Sequence, residues 1–288
     1  MKPTLIMVGA DKGGVGKTTV ARVLMDFFAR NNIKARAFDT EWPRGTLHRF
    51  YPNNCEIINI EDVAAQMKVL DTMGKAPENV TIVDFKAGAL GRTLDLFDKI
   101  GVFEAARAGD FDIAMFHVVG PAVASLNELQ EVSGYMDGVD YIVVRNFINE
   151  TNFFEWDEAT YRKYFANLNN AHEMEVPKLN EMAYEAVDLH GVTFTDFVNN
   201  RKANGEQADF SFTLRGYVRK WLSDLDKELG KLAVIQKITA GAGGAAGAAP
   251  AAGSASPAGA APSAGAAGAA PSGGAAPVGG GSQQAAAE

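Results

Sequence analysis

Cysteine is nearly absent from this chain: Cys55 is the only one in 288 residues. A single thiol excludes an intramolecular disulfide framework and a metal cluster held by cysteines of this chain alone. Apolar runs of about 18 residues, the length needed to cross a bilayer, are also lacking. The amino terminus starts with a strand-like run instead of a basic, apolar export signal. We therefore expect a soluble, cytoplasmic protein and no membrane partner.

Charged and large residues are missing from the last part of the chain. After Thr239 almost every residue is Ala, Gly, Pro or Ser, and such a composition buries too little apolar surface to offset the entropy of ordering. We predict one domain at residues 1–239 and a disordered tail at 240–288, either a passive spacer or a tether for a partner. The net charge of −8 argues against DNA coating the whole surface but permits a local basic face.

Apolar, β-rich runs alternate with helical patterns along residues 1–239. The runs predict strands at 4–8, 35–39, 79–85, 112–119, 141–145 and 173–176. The helical patterns predict helices at 17–31, 61–73, 92–99, 122–135, 155–165, 180–189, 194–202 and 213–235. This alternation is typical of a doubly wound, mostly parallel α/β sheet with helices on both faces, in which ligands bind beyond the carboxyl ends of the strands.

A glycine-rich segment, GADKGGVGKTT at residues 9–19, directly follows the first predicted strand. The spacing from Gly9 to Gly16 is longer than in a standard phosphate loop, so the compact core is residues 12–19. Its glycines allow backbone N–H groups to face phosphate oxygens, and the helix that begins at Lys17 adds the positive end of its dipole. We predict nucleotide contacts from Gly13, Gly14, Val15, Gly16, Lys17, Thr18 and Thr19.

The segment KGGVGKTT, residues 12–19, resembles without mismatch the signature of the ParA/MinD family of deviant Walker A ATPases. This resemblance implies a P-loop fold, ATP and Mg²⁺ as cofactors, and an ATP-dependent homodimer that encloses the nucleotide. It also implies that Lys17 contacts the phosphates of its own subunit, while Lys12 reaches those of the partner. A second cation there would offset charge that develops during phosphoryl transfer. An ordinary solvent-exposed lysine is the alternative for Lys12.

Two acidic positions follow the second predicted strand. The segment FDTEWPRG, residues 38–45, resembles the family's Asp-x-Asp-Pro-Gln segment, whose second acid orients the attacking water. Asp39 matches the first acid and Glu41 lies near the second. Because the inserted Trp42 shifts the register, both Asp39 and Glu41 are candidates for this catalytic role. An acidic loop in solvent is the other interpretation.

The third predicted strand carries Asp84, which matches the family's acid that holds Mg²⁺ through water. Thr18 and Asp84 are therefore the predicted metal residues. Gly88 matches a glycine whose N–H approaches the terminal phosphate. Lys86 stands where relatives generally have proline, which bears on nucleotide-dependent motion of this segment more than on binding.

Two later segments resemble those that surround the base in the family. YIVVRNFIN, residues 141–149, resembles the strand that ends in an adenine-contacting asparagine, here Asn146; an asparagine that caps a turn is the alternative. Pro177 matches the residue that lines the base after the sixth strand.

The resemblance implies a switch that positions a plasmid, a chromosome or a protein complex, with a protein activator or cargo adaptor as partner. A nucleotide-binding scaffold with little turnover and a small-molecule ligase are the alternatives. A basic strip lies along the helix predicted at 213–235 and just beyond it, and in one interpretation it contacts DNA phosphates non-specifically. Its residues are Arg215, Arg219, Lys220, Lys227, Lys231 and Lys237. The apolar stripe of the same helix favours packing on the domain.

Overall fold

The computed structural model describes residues 2–120, 123–147, 158–168 and 170–246. Seven strands form one sheet: β1 (Thr4–Gly9), β2 (Ala35–Asp39), β3 (Cys55–Ile57), β4 (Val80–Asp84), β5 (Asp112–Val119), β6 (Asp140–Asn146) and β7 (Ala171–Val176). Their order across the sheet is β3-β2-β4-β1-β5-β6-β7, and every neighbouring pair is parallel. This topology confirms the predicted doubly wound sheet of a P-loop NTPase fold.

Helices cover both faces of the sheet. They are α1 (Lys17–Arg30), α2 (Val63–Leu70), α3 (Leu90–Lys99), α4 (Val102–Ala108), α5 (Val123–Ser133), α6 (Glu158–Phe165), α7 (Glu181–His190), α8 (Phe194–Val198), α9 (Phe212–Leu229) and α10 (Ala233–Ala246). Because side chains alternate along a strand, β1 contributes to two separate cores. Ile6 and Val8 pack with α1 and α7 to α10, whereas Leu5 and Met7 pack with α2 to α6.

All six predicted strands are confirmed, and their ends differ from the prediction by two residues at most. Strand β3 and helix α4 were not predicted. β3 has three residues, of which Cys55 is the buried one, and a segment this short gives no readable period. The predicted helix at 155–165 begins outside the described residues, and its described part is α6.

Two predicted helices are wrong in extent. The single helix predicted at 213–235 is two helices, because α9 ends at Leu229 and a turn at Gly230 precedes α10. Glycine is about 1 kcal/mol less favourable than alanine inside a helix. The helix predicted at 194–202 is the short α8, which ends at Val198. Asn200 follows in the left-handed region with φ of 57°, and its side chain bonds Ala208 O and Phe210 N.

The last helix continues beyond the predicted domain boundary. Helix α10 runs through residues 240–246, where the tail was predicted to begin, and the rest of that tail, 247–288, lies outside the described residues. Near its start Lys237 Nζ lies 2.6 Å from Asp112 Oδ2, and Lys2 Nζ lies 2.9 Å from Asp112 Oδ1. The segment before β1 and the start of α10 thus meet at the amino end of β5. No helix in the described part of the chain is long and apolar enough to span a bilayer.

Candidate functional site

A cavity of about 680 Å³ opens at the carboxyl ends of β1, β2 and β4. This is the edge of a parallel sheet where ligands are expected. The loop between β1 and α1 forms one wall, the ends of β2 and β4 form a second, and the start of α7 forms a third. Six of the predicted loop residues line it: Gly13, Gly14, Gly16, Lys17, Thr18 and Thr19.

The loop residues adopt the conformation that their glycines were predicted to allow. Gly14 and Gly16 have φ of 75° and 95°, a region that residues with a side chain rarely enter, and Gly16 is the N-cap of α1. Lys17 is 8% exposed, and its Nζ donates to Lys12 O at 2.8 Å. Burial lowers the pKa of Lys17, against an opposing effect of Asp84. The arrangement of a buried ammonium group beside a helix N-terminus suits an anion.

Asp84, at the end of β4, is the most perturbed acid of the cavity. It is 3% exposed, and burial, followed by repulsion from Asp39, raises its pKa to about 8. The Thr18 side chain acts in the opposite direction and lowers the pKa of Asp84. Among the described residues, Asp84 Oδ1 has no hydrogen-bond partner. A buried carboxylate oxygen without a partner is the kind of atom that a cation would satisfy.

The donor set around Asp84 fits Mg²⁺ better than a metal held by protein ligands alone. Within the described part of the chain, no three His, Cys, Asp or Glu side chains converge to hold a metal ion. Mg²⁺ usually takes one or two protein oxygens and completes its shell with water and substrate phosphates. Thr18 and Asp84 supply that kind of partial set, on the wall of the cavity.

The two candidate acids after β2 have different surroundings. Asp39 is 1% exposed and accepts three backbone hydrogen bonds: Oδ1 from Glu41 N at 2.9 Å, and Oδ2 from Leu47 N at 2.6 Å and His48 N at 3.2 Å. Its carboxylate therefore holds the loop at 41–48 in place. Glu41 is exposed on the cavity wall, where it accepts a hydrogen bond from the Thr46 hydroxyl.

Thr40 joins the ends of β2 and β4. Its N and Oγ1 donate to Asp84 O at 3.0 and 3.1 Å, and its Oγ1 accepts from Lys86 N at 2.8 Å. The backbone that carries Asp84 and Lys86 is thereby fixed to the backbone that carries Glu41. Glu41, Asp84 and Lys86 share one wall of the cavity.

Asp11 anchors the underside of the loop to two other elements. Its N–H donates to Glu128 Oε1 at 2.6 Å, and its Oδ1 accepts from Leu90 N at 2.9 Å. Glu128 is held by His117 Nε2 at 3.1 Å. The N–H of Gly88, predicted to approach the terminal phosphate, donates to Asp11 O at 2.9 Å, and Gly88 is not part of the cavity wall.

Three more predicted residues lie outside the cavity wall. Lys12 is exposed, and its side chain passes the end of β5, where a Cβ on Gly120 would lie 3.6 Å from Lys12 Cδ. Asn146 Nδ2 donates to Val15 O at 2.8 Å, and Pro177 O accepts from Trp221 Nε1 at 2.6 Å. The first hydrogen bond places Asn146, at the end of β6, against the loop at Val15. The predicted base contacts of Asn146 and Pro177 stay predictions.

The start of α7 brings residues to the cavity that were not predicted there. Tyr184 lines it, and the Tyr184 hydroxyl lies 3.0 Å from Thr19 Oγ1. Glu181 and Glu185 lie on the same wall. No motif marks these residues, because their approach depends on how α7 packs against α1 and α9. The prediction of a helix at 180–189 is the only sequence signal that pointed to this wall.

Searches of protein-family models and of curated protein sequences found no match for this chain. Similar solved structures exist at low identity. A nucleotide-binding protein of Archaeoglobus fulgidus in complex with ADP is 14% identical, covers 64% of this chain and 85% of its own, and has a TM-score of 0.42. The MinD cell division protein of Aquifex aeolicus is 15% identical, with coverage of 77% and 97% and a TM-score of 0.40. The septum site-determining protein MinD of Pyrococcus horikoshii, complexed with Mg-ADP, is 17% identical, with coverage of 81% and 99% and a TM-score of 0.40.

Proposed function

We propose that this chain is a Mg²⁺-dependent ATPase of the ParA/MinD type, which acts as an ATP-switched dimer. The observation that carries the proposal is one juxtaposition. The buried Lys17, its neighbour Thr18 and the buried Asp84 line the same cavity, and Lys17 and Thr18 belong to the loop segment KGGVGKTT. An ammonium group, a helix N-terminus and a carboxylate with an unpartnered oxygen together form a site for a phosphate chain with its counter-ion.

Each residue has a distinct part in the proposed reaction. Lys17 and the amides of the loop bind the phosphates, while Thr18 and Asp84 would hold Mg²⁺. When bound, the ion neutralises negative charge on the phosphates. Glu41 orients the attacking water, and the Thr46 hydroxyl keeps its side chain at the wall. We assign Asp39 a positioning role, because both of its oxygens already hold the backbone of the Glu41 loop.

We assign Lys12 to the dimer. Its side chain is exposed and lies outside the cavity of its own subunit, so it is available to the phosphates of a partner. Lys12→Ala should keep ATP binding but lose the ATP-dependent dimer. Sedimentation velocity with Mg²⁺ and ATP measures this, and a dimer that persists in the variant would contradict the role.

Positioning of a plasmid, a chromosome or a protein complex, with an activator or cargo adaptor, is the cellular role we propose. DNA contact through the basic strip has weaker support. Lys220 and Lys227 pair with Asp224, and Lys231 with Glu228, on the same helix or the turn after it. Their charge is therefore partly neutralised before any DNA is met. Arg219 is exposed and supports the strip.

The experiment that tests the proposal separates binding from turnover. Titration of a fluorescent ATP analogue in the presence of Mg²⁺ should saturate with the wild-type chain and be lost with Lys17→Ala. Phosphate release, with and without DNA, then measures hydrolysis. Saturable binding with no release above background would favour the scaffold with little turnover. Absence of binding by a folded wild-type chain would contradict the proposed function altogether.

A further inference from the structure

Lys86 is a second lysine that lines the cavity, on the wall formed by the ends of β2 and β4. It follows Asp84 by two residues, and in extended backbone residues two apart point to the same side. Asp84 and Lys86 both line the cavity, together with Phe85 and Ala87. Lys86 is half-buried. The segment at the end of β4 therefore brings one carboxyl group and one ammonium group to the same cavity.

The backbone of Lys86 is held in this position. Its N–H donates to Thr40 Oγ1 at 2.8 Å, and Thr40 in turn bonds Asp84 O through both its N–H and its hydroxyl. Proline, which the ParA/MinD resemblance leads one to expect at this position, has no N–H and could not make the contact. The backbone of Lys86 is therefore fixed close to Asp84, the candidate Mg²⁺-binding residue.

The Lys86 ammonium group has no hydrogen-bond or ion-pair partner among the described residues. Other lysines of the chain do: Lys68 pairs with Glu56, and Lys202 with Glu206. A half-buried cation that lacks a protein partner favours an anionic ligand, because the ligand replaces the hydration that burial removes. Lys17 differs, since Lys12 O already accepts a hydrogen bond from its Nζ.

We propose that Lys86 binds the terminal phosphate of the nucleoside triphosphate held by its own subunit. The inference rests on the proposed function and deepens it. Lys86 and Lys17 approach the phosphate chain from two walls of one cavity, so one subunit supplies both cations. In the hydrolysis, the water oxygen bonds to the terminal phosphorus, the bond to the bridging oxygen breaks, and ADP, phosphate and a proton leave. Lys86 stabilises the negative charge on the terminal phosphoryl group throughout.

The experiment compares triphosphate and diphosphate binding. Lys86→Met removes the charge and keeps the apolar stem of the side chain. We expect it to weaken the binding of Mg²⁺ and a slowly hydrolysed ATP analogue by about 10-fold or more, and to leave ADP affinity unchanged, because ADP lacks the contacted phosphate. Lys86→Arg should restore most of the triphosphate affinity. The exposed Lys75→Ala is the matched control for loss of one positive charge and should change neither affinity.

The outcomes are distinguishable from failure of the proposed function. A folded wild-type chain that binds neither nucleotide would overturn both proposals. A wild-type chain that binds both, with Lys86→Met either unchanged or equally weakened for ATP and ADP, would overturn only the role of Lys86. Thermal unfolding of each variant identifies misfolding, and Lys86→Arg then serves as the folded variant for comparison of the two affinities.

Discussion

Asp39 and Asp84 are paired in register on the adjacent parallel strands β2 and β4, with both carboxyl groups buried. Three backbone N–H groups stabilise the charge of Asp39, whereas Asp84 Oδ1 is buried without a described hydrogen-bond partner. Repulsion between the two carboxylates therefore raises the pKa of Asp84, in addition to the effect of burial. A cation near Asp84 would relieve both penalties.

The pH dependence of the free energy of unfolding should report the cost of a charged Asp84 in this buried position. Burial and Asp39 raise the pKa of Asp84 to about 8, above its value of 3.8 in an unfolded chain. Between these values the folded state binds the extra proton, so stability falls as pH rises through this window. Asp84→Asn removes the dependence. At pH 8 and without nucleotide, we expect the variant to be more stable than wild type by on the order of 2 kcal/mol.

Chemical denaturation at pH 5 and pH 8 measures the effect of Asp84→Asn. The gap between variant and wild type should shrink at pH 5, where the wild-type carboxyl is protonated in the folded state. Addition of Mg²⁺ and ATP analogue should stabilise the wild type and not the variant. A gap of equal size at both pH values would contradict the assignment of this pH dependence to Asp84.

Replacement of the two acids after β2 should separate catalysis from loop support. Glu41→Gln keeps the size of an exposed side chain, so we expect unchanged unfolding and nucleotide affinity but about 100-fold slower phosphate release. Asp39→Ala removes the acceptor of three backbone hydrogen bonds and should destabilise the fold by about 2 kcal/mol or more. Single-turnover phosphate release and denaturation curves test the pair. An intact turnover rate in Glu41→Gln would instead favour Asp39 as the acid that acts on water.

Strands β1, β4, β5 and β6 were predictable because they are buried on both faces and read as nearly continuous apolar runs. The break at Gly230 was not, since the apolar stripe continues through Leu229 and Leu232 on both sides of it. In the site, the glycine loop was predictable from local spacing alone. Tyr184 was not, because its contact with Thr19 joins residues 165 positions apart and depends on helix packing. The separate roles of Asp39 and Glu41 depend on the fold of one loop, which the residue types do not specify.

A methyl group at Gly120 should disturb the phosphate loop. A Cβ there would lie 2.7 Å from Val15 Cγ1, closer than packed atoms allow, so in Gly120→Ala the Val15 side chain must shift, and we expect the loop that carries it to shift too. We expect nucleotide affinity to fall about 10-fold, with a stability loss of 1–3 kcal/mol. Gly216→Ala, in helix α9, is the control: its Cβ meets nothing within 4 Å, and it should stabilise by about 0.5–1 kcal/mol. Nucleotide titration and denaturation curves of both variants measure the contrast.

Asn146→Ala distinguishes loop support from base recognition. The variant loses the hydrogen bond from Asn146 Nδ2 to Val15 O. If this contact is the main role of Asn146, the affinities for ATP and GTP should fall by the same factor, about 5- to 10-fold. Competition titrations with both nucleotides measure the ratio. A selective loss of ATP affinity would favour the adenine contact that the sequence predicts.

Asp112 forms ion pairs with Lys2 and with Lys237. These contacts join the segment before β1 to the last helix at the amino edge of the sheet. The cavity lies at the opposite, carboxyl edge. Reporter groups attached at residue 2 or on α10 would therefore leave the walls of the cavity untouched, which makes this edge the natural place for probes of nucleotide-driven change.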